Sequence, residues 1–215
     1  MTDLTSLSPA DLADLVRQAN ILYFRSGAWQ TTTWLGVPCA QCPTDLWAYQ
    51  ELLHRVRPDV VIETGTWAGG TALFLATVLD QLGHGRLISI DRAADPDRPA
   101  HPRLSYLQGD STDPATAAAV RADIGDATVL VLLDADHAAD AVLAELRLWA
   151  PLVTPGSYLV VQDTGFDGWP AWPEHGPGPA TAAEAFLAED DRFEIDAAPS
   201  AHLLTLSPGG FLRRR

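Results

Sequence analysis

Five apolar runs in this chain each end in an acid, and that recurrence constrains its fold more than any other feature. The runs are DVVIE, RLISID, RLSYLQGD, ATVLVLLD and SYLVVQD, which close on Glu63, Asp91, Asp110, Asp134 and Asp163. Helical stretches separate them, notably after Gly70 and over residues 114–123 and 138–151. A further helix is expected near residues 180–189, followed by two late strands, RFEID and HLLTL. Strands alternating with helices predict an α/β fold with a mainly parallel, seven-stranded sheet and helices on both faces. The VLVLL run has no polar alternation, as a strand covered on both faces requires. In such sheets ligands bind beyond the carboxyl ends of the strands. One acid at a strand end is often a helix cap, whereas five in succession point to one polar rim.

Upstream, Ser8-Pro9 opens a helix expected to reach about Phe24. An aromatic, turn-rich segment follows over residues 25–43, and a second helix over residues 47–56. The chain therefore divides at residue 57 into a helical and aromatic extension (1–57) and an α/β domain (58–215), which together form one structural unit.

Composition narrows the function. The net charge is −14, which disfavours nucleic acid and anionic membranes as partners. All 14 basic residues are Arg, so no mechanism can use a lysine base or Schiff base. No apolar run reaches the length of a membrane span, and the first residues lack a basic leader, so a cytoplasmic protein is expected. The two cysteines, Cys39 and Cys42, lack a second ligand pair and are expected to be ordinary thiols in a turn.

The turn Glu63-Thr64-Gly65-Thr66-Trp67-Ala68-Gly69-Gly70 follows the first strand and opens a helix. It lacks the second glycine of the dinucleotide fingerprint and the lysine of a P-loop. It matches E-x-G-x-x-x-G-[GS], the first motif of S-adenosylmethionine (SAM)-dependent methyltransferases. Asp91 stands at the end of the next strand, where a carboxylate takes ribose hydroxyls. Gly109, Asp110 and Ser111 end the third strand, where adenine is expected. NAD binding is the rival reading of the same loop.

Asp134, Asp136 and His137 end the fourth strand, and Gln162 and Asp163 the fifth. Oxygen donors of this kind suit Mg2+. A metal there lowers the pKa of a substrate hydroxyl, and His137 is the expected base. The opposing reading makes Asp136 an N-cap and His137 a solvated residue. A long loop over residues 164–180 carries Trp169, Trp172 and His175 and reads as a lid or binding loop.

Three long strings make the chain recognisable: WQTTTWLGVPCAQCPTDLWAYQELLHRVRPDVVIETGTWAGGTALFLA, LLDADHAADAVLAELRLWAPLVTPGSYLVVQDT and GPGPATAAEAFLAEDDRFE. They resemble the cephalosporin hydroxylase family, also described as rhamnosyl O-methyltransferase-like, from about Trp29 to the C-terminus. The resemblance implies a Rossmann-like methyltransferase fold and SAM as cofactor. SAM would be held by Glu63, Gly65, Thr66, Gly69, Gly70, Asp91, Gly109, Asp110, Ser111 and Asp134, with Trp34 helping to cover it. It implies Asp134 and His137 as catalytic residues, and Asp134, Asp136, Gln162 and Asp163 as the metal set. Related macrolide-sugar O-methyltransferases have Glu-Asp where this chain has Gln162-Asp163, and a neutral amide is the weaker ligand. A small-molecule natural product is the expected substrate and a homo-oligomer the expected assembly. O-methylation is the leading reaction. N-methylation, NAD-linked oxidoreduction and a non-catalytic SAM-binding helper of a hydroxylase are the alternatives.

Overall fold

The computed structural model describes residues 7–168 and 171–215. Its sheet is built from β3 (Val60–Thr64), β4 (Arg86–Asp91), β5 (Leu104–Gln108), β6 (Val129–Leu133), β7 (Tyr158–Val161), β8 (Phe193–Ile195) and β9 (Phe211–Arg214). The strand order is β5-β4-β3-β6-β7-β9-β8. β5 to β7 run parallel across the sheet, while β9 is antiparallel to both β7 and β8. The chain reverses direction of travel across the sheet between β3 and β6, which opens a crevice at their carboxyl ends.

The uninterrupted apolar strands are explained by two cores, one on each face. Ile62, Ile90, Val131 and Val161 pack against α4 (Pro114–Ile124), α5 (Ala139–Trp149) and α7 (Pro179–Glu189). Val61, Leu87, Leu132 and Val160 alternate with them and face α2 (Pro43–Val56) and α3 (Gly70–Gln81). Successive side chains of a strand point to opposite faces, so both sets must be apolar. Tyr49, Leu52 and Leu53 of α2 belong to the second core, so the extension is packed into the α/β layer.

The extension begins with α1 (Pro9–Ser26), capped by the reciprocal Ser8–Asp11 pair and ended by left-handed Gly27. A small hairpin follows, β1 (Thr33–Trp34) and β2 (Val37–Pro38), turned through Leu35 and Gly36 with positive φ. A one-turn helix, α6 (Gly165–Gly168), follows β7.

The sheet has its seven strands, but the last is not HLLTL. The segment 202–206 is irregular, and β9 lies further on at Phe211–Arg214. The backbone N–H groups there go to side chains instead of a ladder. Thr205 N donates to Asn20 Oδ1 and Leu206 N to Asp45 Oδ2, each over more than 160 residues of sequence. The leucine-rich run looks like a strand, but polar partners from the extension take its hydrogen bonds.

Candidate active site

The crevice at the ends of β3, β4, β5 and β6 is lined by Gly65, Ile90, Asp91, Arg92, Gly109, Ser111, Ala135 and Asp136. Gly65 sits at its centre with φ +84, and a Cβ there would lie 2.0 Å from the Asp134 carbonyl oxygen. Only glycine lets the ends of β3 and β6 approach so closely. Gly70 opens α3 beneath the extension, where a Cβ would come 2.1 Å from the Pro38 carbonyl oxygen.

Glu63 is fully buried at the end of β3. Its Oε2 accepts a hydrogen bond from Ser89 Oγ, which in turn is 2.7 Å from Thr66 Oγ1. Its Oε1 has no partner. Burial pushes its carboxyl up to about 8, against the lowering effect of Ser89. Glu63 is thus a buried acid short of a donor, two residues before Gly65 of the crevice.

Asp91 is already engaged by the protein. Its Oδ2 accepts from the backbone N–H groups of Thr66 (3.0 Å) and Trp67 (2.9 Å), and its Oδ1 from Ala93 (2.8 Å). Asp110 is drawn into its own turn by Thr112 N and Oγ1 and pairs with Arg92. The Thr112 bonds and then Arg92 hold its carboxyl down to about 2. It does not line the crevice, whereas its neighbours Gly109 and Ser111 do. Trp34 is likewise elsewhere. Its indole donates to Thr77 Oγ1 and packs edge-on against Phe74, on the flank of α3. The hairpin carries it along the helix and away from the strand ends, so it does not cover the cofactor crevice.

A second cluster forms where β6 and β7 end. Asp134, His137 and Asp163 bring ligand atoms within 4.8 Å of one another. His137 Nε2 is 2.8 Å from Asp163 Oδ2 and 3.7 Å from Asp134 Oδ1. Burial works against the charged ring, but the hydrogen bonds and charges of Asp134 and Asp163 outweigh it and raise its pKa. Asp134 is raised by burial and by Asp163, and Gln41 Nε2 donates to its Oδ2 at 3.0 Å. Asp163 adopts a left-handed backbone, φ 56, a strain typical of functional turns.

Asp136 does not join this cluster. Its carboxylate caps the turn into α5 through Ala138 N (2.9 Å), and it borders the cofactor crevice instead. Gln162 is buried beside Asp163 with its Nε2 unpartnered. Phe166, Trp172 and His175 stand over His137. The His137 and Phe166 rings are 5.2 Å apart, Trp172 stacks on His175 at 4.9 Å, and His175 Nε2 lies 2.9 Å from the His137 carbonyl oxygen. Trp169 lies outside the described residues. Cys39 and Cys42 are both buried free thiols, with burial raising both pKa values.

Arg92, Arg98, Gln41 and Glu145 were not legible as site residues. Arg92, Arg98 and Gln41 reach Asp110, Trp67 and Asp134, 18 or more residues away, and none of the four sits in a motif. Glu145 is fully buried with both oxygens unpartnered, and burial raises it to about 7.

A parallel sheet with this crevice, and a glycine turn between two acids, is the arrangement expected of a SAM-dependent methyltransferase. The comparisons with known proteins agree. A family model described as rhamnosyl O-methyltransferase/CmcI matches residues 26–215. The rhamnosyl O-methyltransferase of Mycobacterium leprae is 37% identical over 90% of this chain and 87% of its own. That of Mycobacterium tuberculosis H37Rv is 36% identical over 89% and 82%. A CmcI structure with Mg and SAM superposes with TM-score 0.66 at 22% identity, over 86% of this chain and 77% of that one. The apo structure of CalS11, a TDP-rhamnose 3'-O-methyltransferase, gives TM-score 0.56 at 15% identity over 99% of both. This chain belongs to the rhamnosyl O-methyltransferase/CmcI family.

Proposed function

We propose that this enzyme transfers the SAM methyl group to a hydroxyl of a small natural product, with a deoxysugar hydroxyl as the acceptor class. The observation that carries this reading is the adjacency of two sites: an acid-flanked glycine crevice, and a carboxylate–histidine cluster reached from it through Asp134. The names of the relatives supply the acceptor class.

SAM supplies an electrophilic methyl group, and the reaction is an in-line displacement in which position and deprotonation limit the rate. Glu63, with its unpartnered oxygen, would hold the cationic methionine end. Gly65, Thr66, Gly69 and Gly70 would shape the turn around it, and Asp91 would take the ribose. Gly109 and Ser111 would border the adenine. Phe166, Trp172 and His175 give the acceptor an aromatic wall and exclude water.

His137 is the proton acceptor. Between two carboxylates it keeps its own proton, so it works as a base when those carboxylates are engaged elsewhere. The donor set fits a hard divalent cation: Asp134 and Asp163 are carboxylates on adjacent strand ends, with ligand atoms that lie, together with that of His137, within 4.8 Å of one another. The Gln162 amide adds an oxygen when rotated, since its Nε2 makes no bond that would oppose the turn. Asp134, Asp163 and Gln162 would hold Mg2+, whose charge would acidify the acceptor hydroxyl.

No helix among the described residues is long and apolar enough to cross a membrane. We place the enzyme in the cytoplasm as a homo-oligomer. Incubation with SAM, MgCl2 and rhamnosylated acceptors, read by mass spectrometry, tests the function. Methylation at a sugar hydroxyl is expected. Methylation only at an amine would replace the acceptor assignment.

A further inference from the structure

Arg98 lies in the connection between β4 and β5, outside every recognisable motif, yet its side chain is only 6% exposed. Arginine is rarely so buried without a task for its charge. Its guanidinium is directed inward on three sides. Nε donates to the Trp67 carbonyl at 2.8 Å and Nη1 to the Ala93 carbonyl at 2.9 Å, while Nη2 lies 3.0 Å from Asp91 Oδ2. The next residue completes the clamp. Pro99 sits so close to Gly69 that a Cβ there would come within 2.9 Å, and Tyr106 Oη donates to the Pro99 carbonyl at 2.7 Å. The clamp thus meets the glycine turn at Trp67 and Gly69, two positive-φ residues.

The same contacts divide the labour of the Asp91 carboxylate. Oδ2 receives Thr66 N, Trp67 N and Arg98 Nη2, more donors than its two lone pairs accept singly. Oδ1 receives only Ala93 N and keeps a free lone pair. The Arg98 charge also favours the ionised form of Glu63, against the burial that raises it.

We infer that Arg98 is a positioning residue for the methyl donor, locking Asp91 so that Oδ1 alone meets the ribose and balancing the two pocket acids. The inference rests on the assignment of Asp91 to the ribose. It has an electrostatic consequence that a merely structural role lacks. SAM is a cation and S-adenosylhomocysteine carries no sulfonium charge. Removing a buried positive charge beside two acids therefore costs the neutral product more affinity than it costs SAM.

Calorimetric titration with SAM and with S-adenosylhomocysteine tests this on wild type, Asp91→Ala, Arg98→Gln and Arg98→Lys, each checked for folding by circular dichroism. Arg98→Gln should weaken SAM about tenfold and S-adenosylhomocysteine about threefold more. Arg98→Lys keeps the charge and loses the fork, so it should restore the wild-type ratio of the two affinities without restoring full strength. Equal losses for both ligands in Arg98→Gln would overturn the inference. So would wild-type binding in that variant when Asp91→Ala is impaired, and the ribose assignment would then stand. Normal binding by Asp91→Ala would remove both. If Arg98→Gln fails to fold, Arg98→Lys decides: wild-type affinity for both ligands overturns the inference, and weakened binding at an unchanged ratio supports it.

Discussion

His137 Nε2 stands 2.8 Å from Asp163 Oδ2 and 3.7 Å from Asp134 Oδ1, so one imidazole bridges the ends of β6 and β7. The bridge joins the strand whose end borders the Gly65 crevice to the strand that leads into Phe166 and its aromatic neighbours.

The raised His137 pKa has a definite sign in stability. A histidine raised in the folded state stabilises fully below its ordinary 6.5, and that contribution is lost as pH climbs through the raised value. His137→Gln should therefore lower the melting temperature most at pH 6 and least at high pH. Methyl transfer should fall about 100-fold in the same variant. Melting curves that keep one offset across the pH range would show that the ring is uncharged in the fold.

Glu63 gives a second pH signature. Its folded value, about 8, lies above the ordinary 4.5, so the neutral acid stabilises fully below 4.5 and that stability drains as pH rises through about 8. Glu63→Gln keeps the shape without the buried charge. It should melt higher than wild type at pH 8.5, while binding SAM more weakly. A lower melting temperature at that pH would mean that an internal donor satisfies the orphan oxygen.

Gly65→Ala would place a Cβ 2.0 Å from the Asp134 carbonyl oxygen in a left-handed backbone. The loss should reach about 3 kcal/mol or more, with SAM binding abolished. Chemical denaturation measures it. A loss below about 1 kcal/mol would show that β3 and β6 can separate freely.

Magnesium should compete with the His137 proton. Calorimetric titration in buffers of different ionisation enthalpy should show proton release on binding. Gln162→Glu should tighten magnesium, and Asp163→Asn should abolish its binding. Methyl transfer indifferent to a chelator would remove the metal from the reaction.

Much of this was readable from the sequence because the signals were local. VLVLL has no polar alternation because both its faces are covered, and Glu63, Asp91 and Asp134 end strands that pair in parallel register. The late strand failed because Asn20 and Asp45 reach across the fold to take the N–H groups of Thr205 and Leu206. Trp34 is expected over the cofactor, yet its indole donates to Thr77 two turns along α3. Asp110 is expected beside adenine, but it turns towards Thr112 and Arg92 and leaves the crevice lining to Gly109 and Ser111. Arg98 and Gln41 were invisible because no motif marks their contacts, which include the distant Trp67 and Asp134.

Titration of the wild-type protein with SAM, alongside Asp91→Ala, tests the central claim most directly. The crevice between Gly65, Asp91 and Ser111 should bind SAM in the wild type, and loss of the Asp91 carboxylate should weaken it at least about tenfold, a cost of roughly 1.4 kcal/mol. A wild-type protein that takes up no SAM at millimolar concentration, or an alanine variant that binds it undiminished, would contradict the account.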